Sequence, residues 1–169
     1  LVMARAGAAV PSADRITLLR DADGDGIAET RSAFLTGLHS PFGMALVGDQ
    51  LYVANTDAVV AYRYTPGALS ISSPAVTIAP LPAGPINPHW TKDLIASPDG
   101  KFLFATVGSN SNVGENGMEA EQNRASVLRI DPQSHHVSVF ATGLRNANGL
   151  SWQPDSKALW VVVNERDEI

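Results

Sequence analysis

The sequence predicts an all-β fold of the β-propeller type, and three observations support this prediction. The apolar runs are four or five residues long and rich in β-branched residues, as strands are. Clusters of glycine, proline, asparagine and aspartate separate the runs and indicate turns. The runs recur at intervals near 50 residues, close to the length of one four-stranded blade. No stretch keeps a helical period over three turns.

The predicted strands share this short β-branched and aromatic composition. They lie at Ile16–Leu19, Leu51–Ala54, Val59–Tyr62, Leu103–Val107, Val127–Ile130, Val137–Phe140 and Leu159–Val163. Trp152 and Trp160 fall at apolar positions of strands, so we expect both rings to pack in the blades.

One repeated unit occurs three times along the chain. Its second strand begins at Leu51, Leu103 and Leu159, which are 52 and 56 residues apart, and turn residues precede each copy. A further repeat relates residues 32–38 to residues 138–144, which is an offset of 106 residues or about two units. The chain therefore holds about three blades of one partial propeller domain, residues 1–169.

Composition excludes several classes of function. The chain has no cysteine, which excludes disulfides, thiolate metal sites and covalently attached haem in these residues. The net charge of -5 argues against a nucleic-acid partner, because phosphate binding needs a basic face. The sequence contains no run of about 18 apolar residues, so it does not predict a membrane-spanning helix.

The two ends of the sequence look cut. Residues 1–4 resemble the tail of a strand, and residues 166–169 contain no closing element. A closed propeller ring needs about four to eight blades, so we expect the remaining blades in a longer protein.

Polar residues in the connecting loops are the candidate functional residues, because propeller loops gather around a central mouth. Three segments fit this position: residues 87–90, residues 108–112 and residues 145–148. From the residues alone, His89 is more simply read as a surface loop residue than as a catalytic one, and Arg145-Asn146 could be a turn at the entry to a strand. The segment from Gly108 to Gly117 could line a pocket or form a solvated loop.

These segments resemble a known family. The likeness lies in Asn87-Pro88-His89-Trp90-Thr91-Lys92-Asp93-Leu94, Ser97-Pro98-Asp99-Gly100-Lys101, Gly108-Ser109-Asn110-Ser111-Asn112, Gly143-Leu144-Arg145-Asn146-Ala147-Asn148-Gly149-Leu150 and Asn164-Glu165, with residues 40–46 and 52–57 upstream. The chain is similar over almost its whole length to sorbosone dehydrogenases and the related soluble glucose dehydrogenases.

The resemblance implies a six-bladed propeller that oxidises an aldose or sugar aldehyde with the quinone cofactor PQQ. It implies that His89 is the general base, that Arg145 polarises the quinone oxygen, and that Asn146 hydrogen-bonds the cofactor. Trp90 could stack on the cofactor or the sugar. The backbone carbonyls of Asn164 and Glu165 would bind the Ca²⁺ ion that holds PQQ. These residue types suit those roles, since imidazole titrates near neutral pH and hard cations prefer oxygen ligands.

The resemblance also implies a periplasmic or secreted location and an artificial or respiratory electron acceptor. This chain differs from the glucose branch at one position. Where glucose dehydrogenases have an aspartate that orients the histidine, this chain has Ser109.

A second candidate metal site lies near the start of the sequence. Asp21, Asp23, Asp25 and Glu29 are spaced like the first ligands of a calcium loop, but Ser32 stands where an EF-hand needs its last acid. The segment could bind a structural Ca²⁺, or it could be an Asp-Gly turn between two strands.

Two other functions fit a propeller mouth. A calcium-dependent hydrolase of the lactonase type would activate water with the metal and need no quinone. A non-enzymatic binding propeller would show no activity, and replacing His89 would not impair it.

Overall fold

The structure, a computed structural model, describes residues 12–165, so the expectations about the two ends of the sequence lie outside the described residues. The described part contains twelve β-strands. They are β1 Arg15–Arg20, β2 Thr30–Thr36, β3 Met44–Val47, β4 Gln50–Ala54, β5 Ala58–Arg63, β6 Val76–Pro80, β7 Leu94–Ala96, β8 Leu103–Val107, β9 Ser126–Ile130, β10 Val137–Thr142, β11 Asn146–Trp152 and β12 Leu159–Asn164. One short 3₁₀ helix, Met118–Glu121, lies between β8 and β9.

The strands form two complete four-stranded sheets flanked by two-stranded hairpins. The sheets are the antiparallel meanders β3-β4-β5-β6 and β7-β8-β9-β10. The hairpins are β1-β2 and β11-β12. The prediction of an all-β propeller with about three blades is confirmed, because twelve strands make three blades' worth of sheet.

The repeats found in the sequence correspond to equivalent strands. Leu51, Leu103 and Leu159 lie in the second strand of successive sheets. Each pairs with the last residues of the first strand, as Leu46 does with Leu51 and Trp152 with Leu159. The 106-residue repeat relates β2 to β10, the outer strands of two blades. The sequence patterns did not predict β6 or the 3₁₀ helix.

The main core lies between the two four-stranded sheets. Every residue of β8 is buried, and Val59, Leu103 and Ile130 are completely enclosed. The core includes residues from both sheets. Burial on both faces is what a central blade strand between neighbouring blades requires.

Gly43 joins the two central sheets. Its N–H donates to the Lys92 carbonyl at 3.0 Å, and a Cβ at this position would overlap the backbone of Asp93 and Leu94. Asp93 makes the next junction, because its Oδ2 accepts the Leu150 N–H at 2.9 Å. Burial raises the pKa of the Asp93 carboxyl.

The two tryptophans of the last hairpin, Trp152 and Trp160, differ in burial. Trp152 packs edge-on against Phe104 with ring centroids 5.2 Å apart, and its Nε1 donates to the Ala96 carbonyl. Trp160 leaves 66% of its surface exposed on the two-stranded hairpin β11-β12, and its packing in a complete blade stays a prediction. Within residues 12–165, no helix is long and apolar enough to cross a membrane.

Candidate active site

His89 lies in the segment between β6 and β7 and is half-buried. Its Nδ1 is 2.9 Å from the Ser109 hydroxyl oxygen and 3.0 Å from the Ser109 carbonyl oxygen. The Ser109 hydroxyl in turn donates to the Ser111 carbonyl at 2.6 Å. Ser109 therefore contacts the imidazole at the place where the glucose branch has an aspartate.

Gly108 allows two candidate residues to meet. It follows β8 directly, and a Cβ at this position would overlap the Cβ of His89 and lie 2.7 Å from the Asn146 Oδ1. Because glycine has no side chain, the segment with His89 and the first residue of β11 can both approach the end of β8. The structure thus brings His89 and Asn146 together across Gly108.

Asn146 carries an unsatisfied polar atom. Its side chain is 8% exposed, and Oδ1 is the one buried side-chain nitrogen or oxygen in the described chain that lacks a hydrogen-bond partner. Leaving such an atom without a partner typically costs about 1–3 kcal/mol. A ligand with a hydrogen-bond donor would remove this cost.

Arg145 adjoins the same cluster. Its carbonyl accepts the Ser109 N–H at 2.7 Å. Its guanidinium donates to the Asn112 Oδ1 at 2.6 Å and, through Nη1, to the Glu165 carbonyl at 2.9 Å and the Asn164 carbonyl at 3.5 Å. The two carbonyls expected to bind Ca²⁺ thus converge on one cationic nitrogen, which belongs to Arg145.

Two buried cations lie under the segment with His89. Lys92 is completely buried, and its Nζ donates to the Trp90 carbonyl at 3.1 Å and to the His89 carbonyl at 3.5 Å. Burial, together with the nearby charge of Arg124, lowers the pKa of Lys92 to about 8. Arg124 donates to the Asn87 Oδ1 at 2.9 Å, and burial lowers the pKa of its guanidinium.

Sequence reasoning missed both of these cations. The one signal for Lys92 was its position two residues before the apolar β7.

The Trp90 ring lies apart from Ser109, the residue that contacts the His89 imidazole. Its ring packs edge-on against Phe42 with centroids 6.3 Å apart, and 43% of its surface is exposed. Its carbonyl also accepts the Thr56 hydroxyl at 3.2 Å. The ring is an exposed aromatic surface beside the segment with His89.

The loop after β8 is folded by two glutamates. Glu121 accepts the Asn110 N–H at 2.8 Å and the Ser111 hydroxyl at 2.7 Å. Glu115 accepts the N–H groups of Asn112 and Val113, and these backbone hydrogen bonds lower the pKa of its carboxyl to about 2. These contacts order the loop, while Val113 and Met118 remain 73% and 80% exposed.

This loop forms one wall of an open cavity of about 970 Å³. Ser109 and residues 111–114 line the cavity together with Glu121, Arg124, Arg145 and Glu165. His89, Trp90 and Asn146 do not line it within the described chain, but Ser109 connects it to the imidazole. The cavity is large enough for a ligand of several rings.

The acidic segment near the start lies in the turn between β1 and β2. This hairpin is separate from the two sheets that the segment with His89 connects. Ligand atoms of Asp21, Asp23, Asp25 and Glu29 lie within 4.8 Å of one another, and all four residues are exposed. Asp21 accepts the N–H groups of Gly24 and Gly26, and the bond from Gly26, followed by that from Gly24, lowers the pKa of its carboxyl. The predicted strand reversal is confirmed, and the calcium role stays a prediction.

A family model described as TrAA12-like matches residues 14–169. No curated protein matches this sequence. Among solved structures, the chain is similar to the holo form of the pyranose dehydrogenase PQQ domain from Coprinopsis cinerea, with a TM-score of 0.74 and 17% identity over 86% of this chain. It is similar to an iodide structure of Trichoderma reesei Carbohydrate-Active Enzymes Family AA12, with a TM-score of 0.74 and 18% identity over 89% of this chain.

A calcium structure of the same Trichoderma reesei family has a TM-score of 0.73 at 18% identity, again over 89% of this chain. The chain spans 38% of the Coprinopsis cinerea structure and 40% of each Trichoderma reesei structure. At these identities the three structures establish the likeness of fold.

Proposed function

Because the chain belongs to the TrAA12-like family, we propose that it forms part of a PQQ-dependent oxidoreductase that acts on sugars. One observation supports this most directly. The side chains of His89 and Asn146 meet at Gly108, and the backbone carbonyl of Arg145 binds the adjacent Ser109. The similarity to a PQQ domain of a pyranose dehydrogenase is consistent with the same chemistry.

His89 is the proposed base. With Nδ1 held by Ser109, the other ring nitrogen, Nε2, takes the proton from the sugar hydroxyl. PQQ, when bound, supplies the quinone that accepts the hydride from the same sugar carbon. Loss of one proton and one hydride converts the alcohol to a carbonyl, so the two acceptors together balance the oxidation.

Arg145 and Asn146 are the proposed cofactor contacts. The Asn146 Oδ1 is buried without a partner, which fits a residue that hydrogen-bonds a ligand. Arg145 lines the large cavity, and a guanidinium there stabilises negative charge that develops on a bound quinone oxygen. The exposed ring of Trp90 is a proposed stacking surface for the sugar.

The carbonyls of Asn164 and Glu165 are the proposed Ca²⁺ ligands. Two carbonyl oxygens that converge on one point suit a hard cation, and these converge on the Arg145 Nη1. A calcium ion at this place would displace the guanidinium, because the two cations would repel each other strongly at this distance. The release of Arg145 would then make its side chain available to the cofactor.

The substrate proposal is an aldose or a sugar-derived aldehyde of the sorbosone type, with an artificial or respiratory electron acceptor. The protein would work in the periplasm or after secretion. The whole reaction belongs to a longer protein than this chain, since the chain spans 38% of the similar PQQ domain.

The test uses the full-length protein, a panel of pyranoses, aldoses and sugar aldehydes, and a dye acceptor. We expect dye reduction only when PQQ and Ca²⁺ are both present, and we expect His89→Ala to abolish it while PQQ still binds. Hydrolysis of a lactone without quinone would favour the hydrolase instead. Absence of both activities, with no PQQ binding, would favour the non-enzymatic binding propeller.

A further inference from the structure

We propose that Ser109 is the positioning residue of His89 and that it fixes the imidazole as the tautomer protonated on Nδ1. The consequence for catalysis rests on the proposed function, because it concerns the proton that Nε2 accepts. The tautomer itself is a property of this chain and can be measured without cofactor or substrate.

The first argument comes from the Ser109 carbonyl. It lies 3.0 Å from the His89 Nδ1, and a carbonyl oxygen can only accept a hydrogen bond. Nδ1 must therefore carry the proton if this contact is a hydrogen bond. In a neutral ring with Nδ1 protonated, Nε2 has the free electron pair.

The second argument comes from the Ser109 hydroxyl. It has one proton, and its 2.6 Å contact with the Ser111 carbonyl uses that proton. What the hydroxyl offers to Nδ1 at 2.9 Å is therefore an electron pair. The opposite tautomer would place the lone pair of Nδ1 against the carbonyl and would take the hydroxyl proton away from Ser111. Both contacts favour the same tautomer.

Ser109 is well placed to act as a fixed acceptor pair. Its side chain is 7% exposed, and its N–H is tied to the Arg145 carbonyl at 2.7 Å. Glu121 holds the next two residues through the Asn110 N–H and the Ser111 hydroxyl. In the described part of the chain, no carboxylate lies within salt-bridge distance of His89. The imidazole is oriented by neutral oxygens of one residue.

The experiment records ¹⁵N–¹H spectra of the histidine rings in the full-length protein without PQQ, where the nitrogen shifts distinguish the two tautomers. We expect the natural protein to show His89 protonated on Nδ1. Ser109→Ala removes one of the two acceptors, so the Nδ1-protonated fraction should fall. Ser109→Thr keeps the hydroxyl and should restore it.

Ser97→Ala is the matched control for the spectra, since it removes a hydroxyl from the turn after β7, which contacts neither His89 nor Ser109. It should leave the His89 tautomer unchanged. A natural protein with His89 protonated on Nε2 would overturn the proposal, whether or not the variants fold. So would a Ser109→Ala protein whose His89 signals match those of the natural protein.

Kinetics of the full-length enzyme with PQQ, Ca²⁺ and sugar separate this inference from the proposed function. Ser109→Ala should lower kcat about tenfold with little change in KM, because orientation of the base matters in the transition state. Ser97→Ala, in the turn after β7, is the activity control and should keep the natural kcat. If no PQQ-dependent activity exists but the tautomer shifts as expected, the proposed function fails and the positioning role stands. If the natural enzyme is active and Ser109→Ala is equally active, the positioning role fails alone.

Discussion

The N–H of Ser109 donates a 2.7 Å hydrogen bond to the carbonyl of Arg145. This contact ties the loop that holds the imidazole of His89 to the residue just before β11. The loop and β11 belong to successive blades, so the position of the imidazole depends on how those blades pack.

Replacement of Gly108 should separate the candidate residues. Gly108→Ala places a Cβ against the Cβ of His89 and the Asn146 Oδ1, and we expect a loss of about 1–3 kcal/mol in the free energy of unfolding. Urea denaturation measures this loss. Gly149→Ala is the control, because a Cβ there meets Val162 at 3.5 Å, an ordinary contact distance. Equal stability of the two variants would contradict the close approach at Gly108.

Removal of the Arg145 charge should strengthen Ca²⁺ binding at the carbonyls of Asn164 and Glu165. In a protein whose acidic loop is disabled by Asp23→Asn and Asp25→Asn, we expect Arg145→Gln to bind Ca²⁺ about tenfold more tightly, since like charges about 4 Å apart repel strongly. Isothermal titration calorimetry measures the affinity. Arg145→Lys keeps the charge and is the control. Unchanged or weaker binding in Arg145→Gln would argue against a calcium site at these carbonyls.

Lys92 should make stability depend on alkaline pH. Its pKa is lowered from 10.5 to about 8, so between these values the unfolded chain binds more protons than the folded one. The free energy of unfolding contributed by this residue should therefore rise as pH increases from about 8 towards 10.5. Urea titrations at both ends of this window should show the rise in the natural protein.

Lys92→Met should remove that part of the pH dependence, although it also loses the two bonds to carbonyls. Lys101→Met replaces an exposed lysine and should retain the rise. If Lys92→Met shows the same rise as the natural protein, the ammonium is not the group responsible.

The β1–β2 turn should weaken in acid. Hydrogen bonds from Gly26 and Gly24 lower the folded pKa of Asp21 below its ordinary value of 3.8. The stability that this carboxylate adds is therefore present above 3.8 and is lost as pH falls through the folded value. Thermal unfolding at pH 5 and pH 2 should show a smaller acid loss in Asp21→Asn than in the natural protein. An equal loss would mean that the backbone bonds add no stability.

The same turn allows a test of the calcium interpretation. If Asp23 and Asp25 are ligands, millimolar Ca²⁺ should raise the melting temperature of the natural protein by mass action and leave Asp23→Asn unaffected. The bare-turn interpretation expects no calcium effect in either protein. Mg²⁺ at the same concentration controls for general ionic effects.

Much of the strand pattern could be predicted from the sequence because repeats align equivalent elements. Leu103–Val107 matched β8 residue for residue. β6 was missed because Val76–Pro80 ends at a proline within a segment rich in serine and proline, which lacks the apolar contrast of the other strands.

The candidate site was only partly accessible to sequence reasoning. The motifs brought forward Arg145 as well as His89 and Asn146, and the proximity of the last two depends on Gly108, a residue that carries no chemistry of its own. The buried position of Lys92 could not be read from its type, since lysines are usually exposed. The partners of Arg145 were also out of reach, because its five N–H donors can bind any oxygen that the fold brings near.

The two glutamates of the loop after β8 have a consequence for molecular recognition. A loop that is already held by its own carboxylates does not have to become ordered when a ligand binds, so little conformational entropy is lost on binding. Such a preset contour would discriminate by fit, because the loop would not change shape around a ligand of a different outline. Altering Glu115, which holds the loop without lining the cavity, would then change selectivity by loosening that contour.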